Sequence, residues 1–366
     1  MLRLEARPEP SQRMALLSPL FALGITVLLG ALLFTLLGKD PWRGLAMFFV
    51  EPLDDLRDAS ELAVKATPLL LIALGLSLCF RANVWNIGAE GQYVLGAIFA
   101  SGVSMQASTE SHGSFVLWVM LAGALGGMLW AALTAFLRDR FHASEILVSL
   151  MLVYVAELLL GYLVYGPWKD PEGYNFPQTI SFVEATKLPR LVDGQRIHAG
   201  FPLGLLSLLL VWLLLFRSYW GFQLSVSGLA PQAARYAGFS ERASLWGALL
   251  VSGALAGLAG GVEIAGPLGQ LTPYVPTGYG FAAIIVAFVG RLHPAGVLFS
   301  SLLMSLFLIG GELAQSRMGL PKSLSYVFQG LLLFSLLACD SLISHRLRWS
   351  PRPRASEPAS ATQEAR

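Results

Sequence analysis

The chain alternates long apolar blocks with short polar connections over most of its length. Most blocks approach the roughly 20 residues that a helix needs to cross a bilayer. We therefore predict an all-α, polytopic helical membrane protein with about ten membrane segments, including interrupted helices. The predicted segments are residues 15–38, 66–80, 93–106, 115–137, 146–165, 201–216, 244–265, 279–290, 294–311 and 323–343.

Polar residues interrupt this pattern between Phe80 and Gln92. The flanking blocks, 66–80 and 93–106, have about 15 residues each, which is too short for a full span. Irregular backbone inside a membrane needs surrounding protein or water, and short interrupted helices are typical of transport pathways. A second interruption, at 289–296, indicates a weak internal repeat, but an ordinary tight turn at the cytoplasmic surface is an open alternative.

Composition agrees with the membrane class. Of the 366 residues, 55% are hydrophobic and 13% are charged, whereas soluble domains have about 25% charged residues. The mean hydropathy is +0.62. A net charge of +2 gives no indication of a nucleic-acid partner. The longest polar insertion, 166–200, is too short for a separate soluble domain and is predicted to be an outer loop.

Charge distribution predicts the orientation. An even number of segments places both termini on one side, and the arginines after residue 345 place that side in the cytoplasm. The stretch 42–61 is too polar to cross and is predicted to be an interfacial helix or an outer loop. The predicted organisation is a cytoplasmic segment 1–14, a membrane domain 15–345 with outer loop 166–200 and cytoplasmic loop 217–243, and a disordered cytoplasmic tail 346–366.

Charged residues within apolar runs cost about 2.5–3.5 kcal/mol each at the bilayer centre, so they must be paired, hydrated or directed into the bundle. Glu90 is placed in the first turn of a helix, where the helix dipole stabilises an anion, and we predict that it pairs with Arg81. The polar residues around Glu90 are predicted to lock the broken helix, to contact the solute, or to do both. The candidate residues for the pathway or the lock are Arg81, Asn83, Trp85, Asn86, Glu90 and Gln92.

Small residues predict where helices approach closely. Glycines recur every fourth residue at Gly253, Gly257 and Gly261, and also at Gly123 and Gly127. Inside a bilayer this spacing lets two helix backbones pack together. Tight helix packing is the prediction for these glycines, with functional dimerisation as the alternative.

The chain lacks the sequence motifs of several enzyme classes. A phosphate-binding loop needs G-x-x-x-x-G-K-[ST], and the nearest match, Gly38-Lys39-Asp40, has neither the hydroxyl nor a preceding strand. H-E-x-x-H, C-x-x-C and G-x-S-x-G are also absent from the sequence. No catalytic residue and no metal ligand is therefore predicted.

The loop at 217–243 contains a short-helix signal, because Pro231 opens an alanine-rich turn that Gly238 can close. At this point the chain resembles the permease subunits of ATP-binding-cassette (ABC) importers for simple sugars and nucleosides. In that family a similar segment is the coupling helix that docks on the ATPase, although a plain amphipathic linker is an open alternative. The matching residues are Ala233, Ala234, Arg235, Tyr236, Ala237 and Gly238, while Gln232 stands where an acidic residue is often found.

The resemblance extends over about residues 60–340. The run Asn86–Gln92 is similar to the family signature Asn-Ile-Gly-x-Glu-Gly-Gln, and Gly278–Phe281 resembles its C-terminal block. The outer-loop string Pro171–Gly173 looks like the larger of two permeases in nucleoside importers.

The resemblance implies an alternating-access pathway in the plasma or inner membrane for a nucleoside or a simple sugar, with a nucleoside favoured. It implies three protein partners: an ATPase subunit, a second and distinct permease, and an extracytoplasmic solute-binding protein. Membrane lipid is a further partner, and no nucleic acid is expected. This chain would bind no cofactor and would not be an enzyme, because ATP and Mg²⁺ are used by the ATPase. The open alternative is a proton- or sodium-coupled secondary transporter, in which Glu90, Glu157 and Glu263 would carry the ion.

Overall fold

The structure is a computed structural model that describes residues 2–6, 12–108 and 110–349. It is built almost entirely of helices, which confirms the predicted all-α class. The first half contains α1 (Gln12–Leu36), α2 (Pro41–Phe49), α3 (Leu56–Arg81), α4 (Ala89–Ser104), α5 (Phe115–Phe141) and α6 (Glu145–Tyr165). The second half contains α7 (Gly200–Arg217), α8 (Tyr219–Leu229), α9 (Pro231–Tyr236), α10 (Glu241–Glu263), α11 (Tyr279–Val289), α12 (Pro294–Met318) and α13 (Leu324–Ser344).

Eight of the described helices are long and apolar enough to cross a membrane. The predicted segments 93–106 and 279–290 correspond to shorter helices, α4 with 16 residues and α11 with 11 residues. Each of the ten predicted segments thus lies on a helix, but α3 has 26 residues and is not the short segment predicted. It extends further because the charges in its first turns are paired: Lys65 lies 2.7 Å from Glu312, and Glu61 lies 3.2 Å from Arg196.

The interruption in the second half lies elsewhere than predicted. At 289–296 a tight turn joins α11 to α12, and its residues Arg291 and Leu292 have positive φ of 58° and 53°. The tight-turn alternative therefore describes this region. The irregular segment is 269–278, between the π-helical turn Ile264–Leu268 and the start of α11.

The sequence predicts an interfacial helix or an outer loop for the stretch 42–61. This stretch contains the helix α2, which agrees with the helical alternative. The Asp40 side chain caps α2 by accepting a hydrogen bond from the Trp42 N–H at 2.9 Å. Met47 and Phe48 on α2 are fully buried, and the Phe48 ring stacks on Phe328 with the centroids 4.4 Å apart. This helix therefore packs its apolar face on the bundle.

The bundle has one end, which we call the termini end, where α1 begins and α13 finishes. The α11–α12 turn lies there, because Arg291 donates hydrogen bonds to Asp340 of α13 and Ser18 of α1. The same end carries the start of α10, the α5–α6 turn, the last turn of α3 and the segment with α8 and α9. The ion pairs of Lys65 and Glu61 lie at the opposite end.

A two-stranded ribbon joins the chain termini. Strand β1 (Leu2–Ala6) pairs antiparallel with strand β2 (His345–Trp349). This corrects the predicted disordered tail 346–366 in its first four residues, and residues 350–366 lie outside the described residues. The pairing is possible because α1 begins and α13 finishes at the same end of the bundle.

Candidate functional site

The two short helices begin inside the bundle and meet at Glu90. Glu90 lies in the first turn of α4 and is 1% exposed. Its Oε1 accepts a hydrogen bond from the Gly278 N–H at 2.8 Å, and its Oε2 accepts one from the Gly280 N–H. These N–H groups belong to the start of α11, where a helix has no internal acceptors. The Glu90 side chain therefore caps α11 and joins the two halves of the chain.

Glycine is required on the α11 side of this contact. A Cβ atom at Gly280 would overlap the backbone of Glu90. Gly278 has φ of +84°, a conformation that side chains disfavour. The Gly278–Phe281 string found in the sequence thus allows the first turn of α11 to approach the first turn of α4.

An amide network holds the irregular segment in front of α4. The Asn86 Nδ2 donates hydrogen bonds to the Gln92 Oε1 at 3.0 Å and to the Ser252 Oγ of α10 at 3.1 Å. The Asn86 Oδ1 accepts from the Gln92 Nε2 at 3.0 Å and from the Gly88 N–H at 3.2 Å. Asn86 and Gln92 are buried, so each bond is made where no water competes for it.

The predicted pairing of Arg81 with Glu90 is wrong. The Arg81 Nε donates a hydrogen bond to the Leu292 carbonyl at 3.1 Å, and its Cζ lies 5.0 Å from the centroid of the Phe216 ring. Because α3 carries Arg81 to the termini end and the chain then returns into the bundle, Glu90 lies deeper than Arg81.

Asn83 and Trp85 lie near Arg81 rather than near Glu90. Asn83 is exposed and has φ of 55°, which ends α3 with a left-handed turn. The Trp85 side chain is 41% exposed, and its ring contacts those of Phe80 and Phe288 at centroid distances of 5.4 and 6.2 Å. The six predicted residues thus divide into a buried group, Asn86, Glu90 and Gln92, and a termini-end group, Arg81, Asn83 and Trp85.

Two buried tyrosines beside Glu90 were missed by the sequence reasoning. The Tyr93 and Tyr279 rings meet edge to face with centroids 6.0 Å apart, and the Tyr93 hydroxyl has no hydrogen-bond partner within the described residues. Tyr279 also lines a cavity of about 40 Å³ together with Lys65 and Glu312. The available signal was position, since Tyr93 directly follows the signature and Tyr279 lies inside the glycine string. The side chains of Tyr279, Lys65 and Glu312 direct polar groups toward this small cavity.

Glu157 and Glu263 do not join the Glu90 site through hydrogen bonds. Neither side chain makes a hydrogen bond or an ion pair within the part of the chain that the structure describes. Among these residues, no group of three or more His, Cys, Asp and Glu side chains is placed to hold a metal ion.

The glycine stripe lies where α10 packs against α5. A Cβ atom at Gly257 would overlap the Gly123 carbonyl oxygen and the Gly127 backbone. A Cβ atom at Gly253 would lie 2.6 Å from the Gly127 carbonyl oxygen, whereas Gly261 has more room, with its nearest neighbour at 3.5 Å. The helix backbones are in contact at the first two positions, which is what small residues permit inside a bilayer.

The loop 217–243 folds into α8 and the six-residue helix α9. Pro231 occupies the first turn of α9, and Gly238 ends the segment with φ of +80°. Ala234 is fully buried against the loop, Ala233 is exposed, and the Tyr236 side chain is 95% exposed.

Arg235 is not free in this loop. Its Nε and Nη2 donate hydrogen bonds to the two carboxylate oxygens of Glu241 at 2.8 and 2.9 Å. These bonds and the neighbouring negative charge raise the pKa of Arg235 above its ordinary value. The guanidinium group thus fixes the end of α9 to the start of α10, which leaves Tyr236 as the projecting side chain.

The loop 166–200, for which the sequence predicts an outer position, lies over the opposite end of the bundle. Its backbone N–H groups at Thr179, Phe182 and Leu188 donate hydrogen bonds to carbonyls of the 265–271 segment. His198 is buried in this loop, and its Nδ1 accepts a hydrogen bond from the Gly200 N–H at 3.1 Å. Burial and, to a smaller extent, the positive charge of Arg196 lower the pKa of His198 to about 4.

Comparisons with known proteins agree with this architecture. Residues 59–337 match the family model described as "Branched-chain amino acid transport system / permease component". The chain is 31% identical to the glucose ABC transporter permease protein TsgB13 of Haloferax volcanii, over 99% of this chain and 97% of that protein. It is 28% identical to the guanosine ABC transporter permease protein NupP of Bacillus subtilis, over 84% and 88%. It is 25% identical to the nucleoside ABC transporter permease protein NupB of Lactococcus lactis, over 95% and 96%. The chain therefore belongs to this family of permease components and is a multi-pass membrane permease of the ABC-transporter type, which confirms the resemblance seen in its sequence.

Proposed function

We propose that this chain forms part of the alternating-access pathway of an ABC importer that takes up a nucleoside or a simple sugar. Two of the similar proteins are named for nucleoside or guanosine transport and one for glucose transport. In this proposal the chain is not an enzyme and binds no cofactor. A separate ATPase uses ATP and Mg²⁺, a second and distinct permease completes the pathway, and an extracytoplasmic binding protein delivers the solute.

The single observation that carries the ATPase partner is the geometry of α9. The Tyr236 side chain on this helix is 95% exposed in the chain alone. Aromatic side chains that become buried under a partner are typical of interfaces between subunits. The bond between Arg235 and Glu241 holds the helix end in place. A partner that covers Tyr236 would thus bind a preformed surface. The coupling contact in this proposal consists of Ala233, Ala234, Arg235, Tyr236 and Gly238.

The position of α9 supports an orientation. It lies at the termini end, and an ATPase can bind there only if that end faces the cytoplasm. Both termini would then be cytoplasmic, in a cell membrane, and the outer loop 166–200 would face the binding protein. Ten membrane segments and the arginines after residue 345 favour the same orientation.

The two groups of pathway residues receive different roles. Asn86, Glu90 and Gln92 would lock the broken segment beside the solute path, since their polar atoms form hydrogen bonds with one another, with the Ser252 hydroxyl or with backbone N–H groups. Arg81, Asn83 and Trp85 would shape the path where it opens at the termini end. The Tyr93 hydroxyl, which has no partner within the described residues, would face the solute.

Uptake into reconstituted vesicles tests the proposal. The chain is incorporated with its ATPase, second permease and binding protein, and uptake of labelled guanosine and glucose is measured with and without ATP. We expect ATP-dependent uptake of one of these solutes. Uptake that persists without ATP and stops when ion gradients are dissipated would establish a secondary transporter and overturn the proposal.

A tyrosine substitution tests the docking surface separately. Tyr236→Ala should weaken binding of the ATPase by about tenfold or more, because truncation of a central aromatic anchor costs about 2 kcal/mol. Co-purification of the ATPase at increasing salt measures this. The matched control is Tyr174→Ala, which removes a 93% exposed tyrosine from the outer loop and should leave the complex unchanged. Equal retention of the ATPase by both variants would remove α9 from the interface.

A further inference from the structure

The Arg81 side chain contacts two parts of the chain that are distant from it in sequence. It forms the last turn of α3, just before the irregular segment that leads to Glu90. Its Nε donates to the Leu292 carbonyl in the α11–α12 turn, 211 residues away. Its guanidinium lies over the ring of Phe216 in the last turn of α7, with Cζ 5.0 Å from the centroid. One side chain thus links α3, α7 and the α11–α12 turn.

The backbone of Arg81 makes a further contact with the helix next to α9. Gly228 lies in α8 so close to the Arg81 carbonyl that a Cβ atom at Gly228 would overlap it. Only Ala230 separates α8 from α9. A displacement of α9 therefore reaches the end of α3 through α8, without passing through the bundle core.

The Leu292 side of the link is held firmly to the rest of the bundle. The adjacent Arg291 donates hydrogen bonds to both carboxylate oxygens of Asp340, at 2.7 and 3.0 Å. Phe80, next to Arg81, stacks on Phe288 with the centroids 5.0 Å apart and the rings at 21°. The end of α3 and the end of α11 are thus packed as one unit, and α11 carries the N–H groups that bind Glu90.

Arg81 has no carboxylate partner among the described residues. Its contacts are a carbonyl and an aromatic face, and both depend on distance and angle more strongly than a diffuse charge attraction does. A cavity of about 460 Å³ beside it, lined by Asn83, Ser225 and Leu229 among others, leaves space for this side chain to move. Such contacts can be exchanged when α8 moves.

We propose that Arg81 is a positioning residue that transmits movement of α8 and α9 to both short helices, α4 and α11. Movement reaches Arg81 through its contacts with Phe216 in α7 and Gly228 in α8. It passes on to α11 through the hydrogen bond from Arg81 to the Leu292 carbonyl. This inference rests on the proposed function, because it requires an ATPase that moves α9. It assigns the coupling to a residue inside the permease rather than to the docking surface.

The test separates ATP hydrolysis from transport in the reconstituted importer. Arg81→Gln removes the charge and the planar stack on Phe216, while the importer is still able to bind its ATPase. We expect uptake to fall about tenfold, as for loss of one hydrogen bond and one cation–π contact, while the ATPase rate stays within about twofold. The ratio of ATP hydrolysed to solute transported therefore rises, which a general loss of folding would not produce.

Arg217→Gln is the matched control. Arg217 follows Phe216 directly, and its Cζ also lies over an aromatic ring, 5.7 Å from the centroid of Trp212. Within the described residues its side chain makes no hydrogen bond to either α4 or α11. It should keep the wild-type ratio. If Arg81→Gln does not accumulate in the membrane, Phe216→Leu removes the ring alone and is expected to raise the ratio in the same way.

A distance measurement adds a readout that does not depend on rates. Spin labels at Ala295 and His142, which are both exposed near the termini end, report movement of the α11–α12 turn against the α5–α6 turn. We expect the ATP-dependent change in this distance to be present in the wild type and in Arg217→Gln, and absent in Arg81→Gln. Wild-type coupling ratio and distance change in both Arg81→Gln and Phe216→Leu would overturn the inference alone. Absence of ATP-dependent uptake by the wild type would overturn the proposed function, and the inference with it.

Discussion

Replacing Glu90 by alanine should separate the two short helices. The substitution removes both carboxyl oxygens, so that the N–H groups of Gly278 and Gly280 lose their acceptors at the start of α11. Since Glu90 is 1% exposed, water does not replace it without a rearrangement of the bundle. The Asn86 network would remain, because it makes no bond to Glu90.

The size of the effect follows from the two N–H groups. Leaving the buried Gly280 N–H unsatisfied costs about 1–3 kcal/mol, and the half-buried Gly278 N–H adds about 0.5–1.5 kcal/mol. We therefore expect Glu90→Ala to lower the free energy of unfolding by about 2–4 kcal/mol. Glu90→Gln retains one oxygen acceptor and should lose about half of this.

Unfolding of the purified permease by detergent titration measures this difference. The control is Glu157→Gln. Glu157 lies in α6, and its side chain makes no hydrogen bond or ion pair within the described residues. It should leave the free energy of unfolding unchanged or higher, because a charge in the membrane is lost. If Glu90→Ala is as stable as the wild type, Glu90 does not hold α11.

Two further predictions concern helix packing and pH. Gly257→Ala should lower the free energy of unfolding by about 1–3 kcal/mol, because the added Cβ would overlap the backbone of α5. The control is Gly24→Ala, which should be neutral or stabilising because no atom lies within 4 Å of the added Cβ. Equal stabilities of the two variants in the same detergent titration would contradict the close contact. The pKa of His198 is lowered to about 4 from an ordinary 6.5, so protonation of this side chain opposes folding. We therefore expect full stability above pH 6.5 and a loss of up to about 3 kcal/mol in the free energy of unfolding as the pH falls to 4. Thermal unfolding at several pH values should show a slope that His198→Gln removes and that His142→Gln, at an exposed position, retains.

Much of the architecture could be predicted because its causes are local. The lengths of the apolar blocks predicted where the long helices lie, and proline and glycine predicted where a short helix begins and ends. Pro231 lies in the first turn of α9, and Gly238 ends the segment with a positive φ. The glycine spacing at Gly253 and Gly257 likewise identified a helix face that the structure packs against α5.

The errors arose where distant groups decide the outcome. The start of α3 was predicted ten residues too late, since its polar turns are stabilised by Arg196 and Glu312, which no local pattern connects to it. The sequence predicts an ion pair between Arg81 and Glu90, because these residues are near in sequence and opposite in charge. The structure separates them by turning the chain back into the bundle between them.

The sequence by itself determined the class of the protein, the positions of its apolar helices and the residues that carry the family resemblance, because each depends on composition or short-range order. Only the tertiary structure decided what Glu90 binds. Its partners are backbone N–H groups 188 and 190 residues away. Nearly every residue carries such a group, so no side-chain pattern marks the ones that a fold will bring to a given carboxyl group.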